Sequence, residues 1–295
     1  MKTALVVLAA AAGLNMGVLA QPLPATKVRV FVSIQPQAYF VERVAGPYAE
    51  IGVLVPPGQS HETYEPTPRQ MAGLSQADVY FRIGLPFETR LVEKIAAMDS
   101  TLSIVDTREG IKLRPMDEDH GDEHAGAPDP HIWLDPQLVI IQAEHIARTL
   151  VRHDSVHPAI FQRNLSEFEN DLNRVDSIVA EALAPLRGRK LYVFHPAYGY
   201  FADAYGLKQI AVEIGGREPS AKQLAELIDQ ARRDSVRVIF VQPQFAKSSA
   251  EKVAEAIGGV VLPLDPLARD YLGNLERMAQ EIKRALSQHA AGTRP

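Results

Sequence analysis

Short apolar segments alternate with amphipathic segments along the chain from residue 27 onward. The apolar segments are rich in Val and Ile, which indicates buried strands, and the segments between them have helical spacing. In the first half, the predicted strands are residues 27–34, 49–56, 79–84 and 102–107. In the second half, they are residues 190–195, 208–214, 236–242 and 259–264. This alternation predicts an α/β protein with two lobes, each a mostly parallel four-stranded sheet with covering helices.

One amphipathic segment, residues 158–186, lies between the two strand series. Its apolar residues recur at steps of three and four, which is the period of one helical face. Pro158 suits the first turn, and a helix of this size extends about 40 Å at 1.5 Å per residue. We expect one long rigid helix over residues 158–187 that joins a first lobe, residues 21–157, to a second lobe, residues 188–295. The alternative is an ordinary core helix of the second lobe.

Residues 1–20 have the pattern of an export signal peptide. Lys2 precedes an apolar, Ala-rich run that ends in Val18-Leu19-Ala20, and this run is too short to favour a membrane-spanning helix. The sequence has no cysteine, which excludes disulfides, thiolate metal ligands and a lipid-modified cysteine at the cleavage point. We therefore expect a periplasmic protein that is not embedded in the membrane.

The charge balance excludes some partners. The chain has 31 basic and 36 acidic residues, a net charge of −5, so it lacks the electrostatic pattern of proteins that bind nucleic acid or anionic lipid. Residues 116–128 contain five acidic residues and two histidines without an apolar stripe. This composition predicts a solvated loop, to which weak metal capture would be an addition.

The segment HETYEPTP, residues 61–68, comes close to the H-E-x-x-H signature of zinc proteases but has Glu65 where the second histidine belongs. The signature works on a helix, which brings both histidines to one face. Pro56 and Pro57 precede residues 61–65 and Pro66 and Pro68 follow them, and these prolines oppose a helix. We therefore expect His61 to lie on a loop and any partner ligands to come from elsewhere in the chain.

Three further residues have positions suited to metal binding. His131 lies in the segment DPHIWLDP, while His195 and Asp265 each end a predicted strand. Ligands gather outside the carboxyl ends of strands in open parallel sheets, so these residues and His61 are expected to face the crevice between the lobes. Three imidazoles and one carboxylate suit Zn²⁺. Taken singly, Asp265 could instead cap a helix and His195 could be a hydrogen-bonded structural residue. Asp135 is expected to orient the loop of His131 or to support a ligand without binding the metal itself.

Several stretches together resemble one family. They are HETYEPTPRQ, PDPHIWLDP, FHPAYGYF, GREPS (216–220) and LDPL (264–267), in the same order over nearly the whole chain. The sequence resembles the ZnuA/TroA-like zinc and manganese substrate-binding proteins of ABC importers (cluster A-I, bacterial solute-binding protein family 9). The resemblance implies two lobes joined by a long helix, a metal at the lobe interface and an inner-membrane permease as partner. It also implies the metal ligands His61, His131, His195 and Asp265, and a capture loop at residues 116–128.

The leading hypothesis is a monomeric periplasmic protein that binds Zn²⁺ with high affinity and delivers it to an ABC permease, without enzymatic activity. A manganese-binding homologue is one alternative, although the resemblance implies a carboxylate at position 195 in manganese carriers, where this sequence has His195. A zinc-dependent hydrolase is another, with Glu62 or Glu65 as general base. An adhesin, or a metal buffer without a transporter, also fits the sequence.

Overall fold

The computed structural model describes residues 27–97, 101–116, 127–213, 220–245 and 247–288. The predicted signal peptide (1–20), most of the predicted acidic loop (117–126) and residues 216–219 lie outside these ranges. Within the described residues, no helix has both the length and the apolar content needed to span a membrane.

Two parallel sheets form the framework. The first contains β1 (Val28–Val32), β2 (Ala49–Val53), β3 (Val79–Arg82) and β4 (Ser103–Asp106) in the order β2-β1-β3-β4. The second contains β5 (Lys190–Val193), β6 (Lys208–Ala211), β7 (Val238–Val241) and β8 (Val260–Pro263) in the order β6-β5-β7-β8. Each strand lies within a segment that the apolar pattern predicts, and the predicted α/β fold class is confirmed.

Helices cover both sheets. In the first lobe they are α1 (Gln35–Ala45), α2 (Pro68–Leu74), α3 (Pro86–Ala96) and α4 (Pro136–His153). In the second they are α6 (Gly199–Tyr205), α7 (Ala221–Arg233), α8 (Ser248–Ala256) and α9 (Tyr271–Gln288). Prolines begin α2, α3 and α4, where a missing backbone N–H costs no helical hydrogen bond.

The long helix α5 (Pro158–Leu183) contacts both lobes. It has 26 residues and therefore extends about 39 Å. Towards the first lobe, Asp171 accepts from Arg43 of α1 at 2.7 Å. Towards the second, Asp176 accepts from the hydroxyl of Tyr205 of α6 at 2.9 Å. The predicted joining helix is confirmed, while the exact lobe boundaries at residues 157 and 188 stay predictions.

The strand order determines where ligands can collect. In each sheet the first strand of the lobe is central, with the second strand on one side and the third on the other. The connections after β1 and after β2 therefore run in opposite directions across the first sheet, and those after β5 and after β6 do so in the second. In open α/β sheets this reversal leaves a crevice at the carboxyl ends of the strands. The loops that carry the candidate ligands emerge at these ends.

Candidate metal centre

His61 lies on the loop between β2 and α2, as the prolines predict. Its side chain is buried, with 1% exposed. The ring stands edge-on to the indole of Trp133, with centroids 5.6 Å apart. His61 Nδ1 has no hydrogen-bond partner among the described residues. The polar contacts of this ring are therefore made by Nε2.

His131 is oriented by a buried carboxylate. Asp129 Oδ1 accepts both the backbone N–H of His131, at 2.9 Å, and the ring Nδ1, at 2.7 Å. Since a carboxylate on Nδ1 places the proton there, Nε2 keeps its lone pair for a metal. The residues that follow His131 form a short 3-10 helix, Ile132–Leu134, and Asp135 caps α4 by accepting from the backbone of Gln137.

His195 follows β5 and is held on three sides. Gln242, at the end of β7, accepts from its backbone N–H at 3.2 Å and donates to its backbone carbonyl at 2.6 Å. Glu213 Oε1 lies 2.5 Å from Nδ1, so Nε2 is again the atom left for a metal. The ring of Phe245 stacks on the imidazole with centroids 4.8 Å apart. The central position of β5 thus carries a histidine with a fixed orientation.

The three Nε2 atoms converge on one point together with a carboxylate oxygen. His131 Nε2 lies 3.0 Å from that of His61 and 3.2 Å from that of His195. Glu62 Oε1 lies 3.1, 3.7 and 3.5 Å from the Nε2 atoms of His61, His131 and His195. A tetrahedral Zn²⁺ site with bonds of about 2.0–2.1 Å requires ligand atoms about 3.3–3.4 Å apart. The observed distances of 3.0–3.7 Å lie around this value, so the four side chains could form a tetrahedral zinc shell.

The charges of His61, Glu62 and His195 depend on burial and on one another. Burial lowers the pKa of His61 to about 4, which keeps this imidazole neutral at pH 7. Burial also acts to lower the pKa of His195, but hydrogen bonds with Glu213 and Glu62 outweigh it and raise the pKa to about 10. Burial acts to raise the pKa of Glu62, yet hydrogen bonds with His195 and His61 hold it well below the usual range. These shifts favour a carboxylate at Glu62 beside an imidazolium at His195, whose proton a metal cation would replace.

Asp265 lies outside the cluster. Its Oδ1 accepts from the side chain of Gln244 at 2.8 Å and from the backbone N–H of Leu267 at 2.9 Å. The described group of candidate ligands consists of His61, Glu62, His131 and His195, whose ligand atoms all lie within 4.8 Å of one another. The cluster thus contains the three predicted histidines and Glu62, and the predicted ligand Asp265 is not part of it.

Four residues of this site were not predicted in these roles. Glu62 was considered only as a general base, and Asp129, Glu213 and Gln242 were not considered. The D-P-H pattern at residues 129–131 was a usable signal for Asp129, because a carboxylate two residues before a histidine can reach its ring. Glu213 and Gln242 follow other strands of the second sheet, and only the strand order brings them to His195.

The arrangement can hold a cation but is poorly suited to hydrolysis. A catalytic zinc has three protein ligands and an open position for water. Here Glu62 is placed to occupy the fourth position, and its carboxylate is only 21% exposed. The same carboxylate is then not free to act as a general base. The geometry therefore favours binding and release of a metal over the hydrolase alternative.

Comparisons with known proteins give one family. The family model "ZnuA: Zinc-uptake complex component A periplasmic" matches residues 30–285. The high-affinity zinc uptake system protein ZnuA of Bacillus subtilis is 26% identical over 273 residues, which cover 87% of this chain and 86% of the relative. The zinc-binding lipoprotein AdcA of Streptococcus pneumoniae is 26% identical over 289 residues, 91% of this chain. The matched region is only 58% of the length of AdcA.

A crystal structure of ZnuA shares the fold of the chain. It superposes with a TM-score of 0.82 at 40% sequence identity, and the match covers 88% of this chain and 99% of the other. The family match extends over both sheets and includes His61, Glu62, His131 and His195. The chain belongs to the ZnuA family, which the family model describes as the periplasmic component A of a zinc-uptake complex.

Proposed function

We propose that this chain is a periplasmic protein that binds Zn²⁺ with high affinity and delivers it to an inner-membrane ABC permease. The observation that supports this most directly is the convergence of three imidazole Nε2 atoms and one carboxylate oxygen at tetrahedral spacing. The three histidines are almost fully buried, so the bound ion would be shielded from water and other ligands. The zinc-uptake family supports the same cargo.

We assign His61, His131, His195 and Glu62 as the metal ligands. Glu62 replaces Asp265 in this assignment, because Glu62 Oε1 contacts all three imidazoles while Asp265 is engaged by Gln244 and Leu267. Asp265 is better suited to shape the loop between β8 and α9. Its neighbour Pro266 accepts a hydrogen bond from the indole of Trp133, which connects this loop to the segment of His131.

The donor set supports zinc over manganese. Three neutral nitrogen donors and one oxygen suit a borderline cation, whereas Mn²⁺ prefers carboxylate, carbonyl and water oxygens. Divalent affinity at a given site also rises from manganese towards zinc. The manganese alternative would be favoured by a carboxylate at position 195, and this chain has a histidine there that Glu213 and Gln242 hold in place.

A carrier function also agrees with the architecture. The ligands come from both lobes: His61, Glu62 and His131 from the first, and His195 from the second. A relative movement of the lobes would therefore change the coordination number of the ion. This is what a protein that must both bind and hand over its cargo requires, and it gives the permease a way to trigger release.

Metal competition tests the proposal. The protein, purified from the periplasm and freed of metal with a chelator, is titrated with Zn²⁺ and Mn²⁺ against a competing chelator. We expect one tight equivalent of Zn²⁺ and much weaker binding of Mn²⁺. His131→Ala is expected to lose the tight equivalent, while His153→Ala, at an exposed position at the end of α4, is expected to keep it. Preference for Mn²⁺, or sustained hydrolysis of ester or amide substrates by the zinc-loaded protein, would contradict the proposal.

A further inference from the structure

The side chain of Arg114 reaches from the first lobe to the second. Arg114 lies on the segment that follows β4, and its Nε donates to Asp203 of α6 at 2.9 Å. Its Nη1 donates to Asp129 Oδ2 at 3.0 Å. The other oxygen of Asp129 accepts the two hydrogen bonds from His131. One guanidinium thus connects a helix of the second lobe to the carboxylate that orients a metal ligand of the first.

The beginning of α6 provides the space and a further contact for this guanidinium. A Cβ atom at Gly199 would lie 1.6 Å from Arg114 Nη1 and 2.8 Å from Asp129 Oδ2, so a larger residue at 199 is incompatible with the observed position of Arg114. The hydroxyl of Tyr200 accepts from the backbone N–H of Arg114 and donates to the backbone carbonyl of Asp129, both at 3.0 Å. Two consecutive residues of α6 therefore support Arg114 and Asp129: Gly199 leaves space for the guanidinium, and Tyr200 forms hydrogen bonds with both backbones.

The same segment of the second lobe carries His195. Only residues 196–198 separate His195 from the first residue of α6. A displacement of the second lobe that removes His195 from the metal would therefore also withdraw α6 from Arg114. Metal coordination by His195 and the contact of α6 with Arg114 therefore both depend on the same packing of the second lobe against the first.

We propose that Arg114 is a positioning residue of the metal centre, which makes the orientation of His131 depend on the docking of α6 against the first lobe. The inference rests on the proposed function, since it takes His131 as a metal ligand. When α6 packs against the first lobe, Arg114 donates a hydrogen bond to Asp129. Asp129 in turn accepts from the imidazole of His131 and so orients it. When the lobes separate, His195 leaves the metal and the support of His131 weakens at the same time, so release involves two ligands together.

The chemistry of the two partners explains the need for arginine. Asp129 is fully buried, and a buried carboxylate requires a charged or strongly hydrogen-bonding partner. A guanidinium presents several N–H groups in one rigid plane and can serve two carboxylates at once, whereas an ammonium is a flexible point charge. Arg114 is the residue through which the exposed Asp203 and the buried Asp129 are linked.

The test compares Arg114→Ala with a matched change at another contact between the lobes. Arg269, which follows β8, donates to Glu42 at 2.6 Å and to Gln35 at 3.0 Å, both on α1, and has no described contact with a ligand or with the partner of a ligand. Zinc affinity is measured by chelator competition and zinc release by stopped-flow mixing with a chromogenic chelator. We expect Arg114→Ala to weaken zinc binding about tenfold, with most of the change in the release rate, because partners of ligating histidines contribute about 10–100-fold to affinity. Arg269→Ala is expected to stay within about twofold of the wild type.

Two more variants address the fold. Gly199→Ala keeps every charge but displaces the guanidinium, so it should reproduce the faster release. Arg114→Lys should restore part of the affinity. The absorption spectrum of the Co²⁺-loaded protein reports ligand geometry, and we expect it to change in Arg114→Ala and Gly199→Ala but not in Arg269→Ala. The melting temperature of each metal-free variant separates this effect from general loss of stability.

The outcomes distinguish this inference from the proposed function. If Arg114→Ala and Gly199→Ala release zinc at the wild-type rate, or if Arg269→Ala accelerates release equally, Arg114 does not position the site and the inference is wrong. If His131→Ala binds zinc as tightly as the wild type, the ligand assignment itself fails and this inference fails with it.

Discussion

The indole of Trp133 donates a hydrogen bond to the backbone carbonyl of Pro266 at 2.8 Å. Trp133 lies two residues after the candidate ligand His131, and Pro266 follows Asp265 in the loop between β8 and α9. This bond joins the His131 loop of the first lobe to a loop of the second. The indole also contacts the rings of His61 and His131, with centroids 5.6 and 5.1 Å away.

This position makes Trp133 an internal probe of metal binding. It is the only tryptophan of the chain, and its side chain is fully buried. Fixing His61 and His131 on a cation changes the charge and mobility of two rings that contact the indole. We therefore expect the intrinsic emission to change and to saturate at one equivalent of Zn²⁺. Mg²⁺, which binds imidazole poorly, is the control, and an unchanged spectrum of the fully loaded protein would mean that His131 is not a ligand.

The identity of the fourth ligand is tested by a matched pair of carboxamide substitutions. Glu62→Gln and Asp265→Asn each remove one negative charge and keep the shape of the side chain. Because Glu62 Oε1 contacts all three imidazoles, we expect Glu62→Gln to weaken zinc binding by about 10–100-fold. Asp265→Asn should have a smaller effect, since its carboxylate lies against Gln244 and Leu267. Isothermal titration with a competing chelator measures both, and a larger loss in Asp265→Asn would restore Asp265 as the ligand.

Zinc binding is expected to release a proton at neutral pH. The pKa of His195 is about 10 in the metal-free site, so this ring is protonated at pH 7 and must lose its proton to coordinate. Affinity should therefore rise with pH up to about 10. His61, with a pKa of about 4, is already neutral and adds pH dependence only in acid.

Calorimetry in buffers of different ionisation enthalpy counts the protons released. We expect close to one at pH 7.5 from His195. Glu213→Gln removes a main cause of the raised pKa, so it should reduce the release and flatten the dependence above pH 7. Asp234→Asn, which pairs with Lys190 away from the site, is the control. Wild-type binding without proton release would show that His195 is neutral in the metal-free protein.

The sequence was sufficient for the fold because the strands of both lobes lie in short segments rich in Val and Ile. A fully buried strand such as β7, or one with alternate buried residues such as β1, leaves little ambiguity when helical segments separate the strands. The steps of three and four in residues 158–186 likewise identified α5. The sequence left open whether α5 joins the two lobes or belongs to the core of the second lobe. The contacts of Asp171 and Asp176 show that it contacts both lobes.

The site was only partly accessible from sequence. His61, His131 and His195 could be selected as candidates because each lies in a short recognisable motif beside an apolar segment. The sequence alone does not decide between Glu62 and Asp265 as the fourth ligand, because the contacts of Glu62 with the three imidazoles appear only in the folded chain. Glu213 contacts His195 and Arg114 contacts Asp129, and the members of each pair are distant in the chain. A pattern based on neighbouring residues does not reveal such pairs.

The choice between zinc and manganese is expected to depend on position 195. In the variant His195→Glu, an anionic oxygen donor replaces a neutral nitrogen donor, which makes the shell harder and less suited to Zn²⁺. We expect zinc affinity to fall and the preference for zinc over manganese to narrow. Competitive titration of both ions into the wild type and the variant measures the preference.

The surroundings of His195 require a second variant for this test. Glu213 Oε1 lies 2.5 Å from His195 Nδ1, so a carboxylate at 195 would face another carboxylate in a buried site. That repulsion would by itself weaken the binding of any ion or raise the pKa of one of the two acids. The double variant His195→Glu with Glu213→Gln removes the repulsion and isolates the change of donor. His153→Glu, at an exposed position of α4, controls for the added charge. If the double variant keeps the wild-type preference for zinc, the nitrogen donor at 195 does not determine the selectivity, and the shape of the site set by His61, His131 and Glu62 must do so.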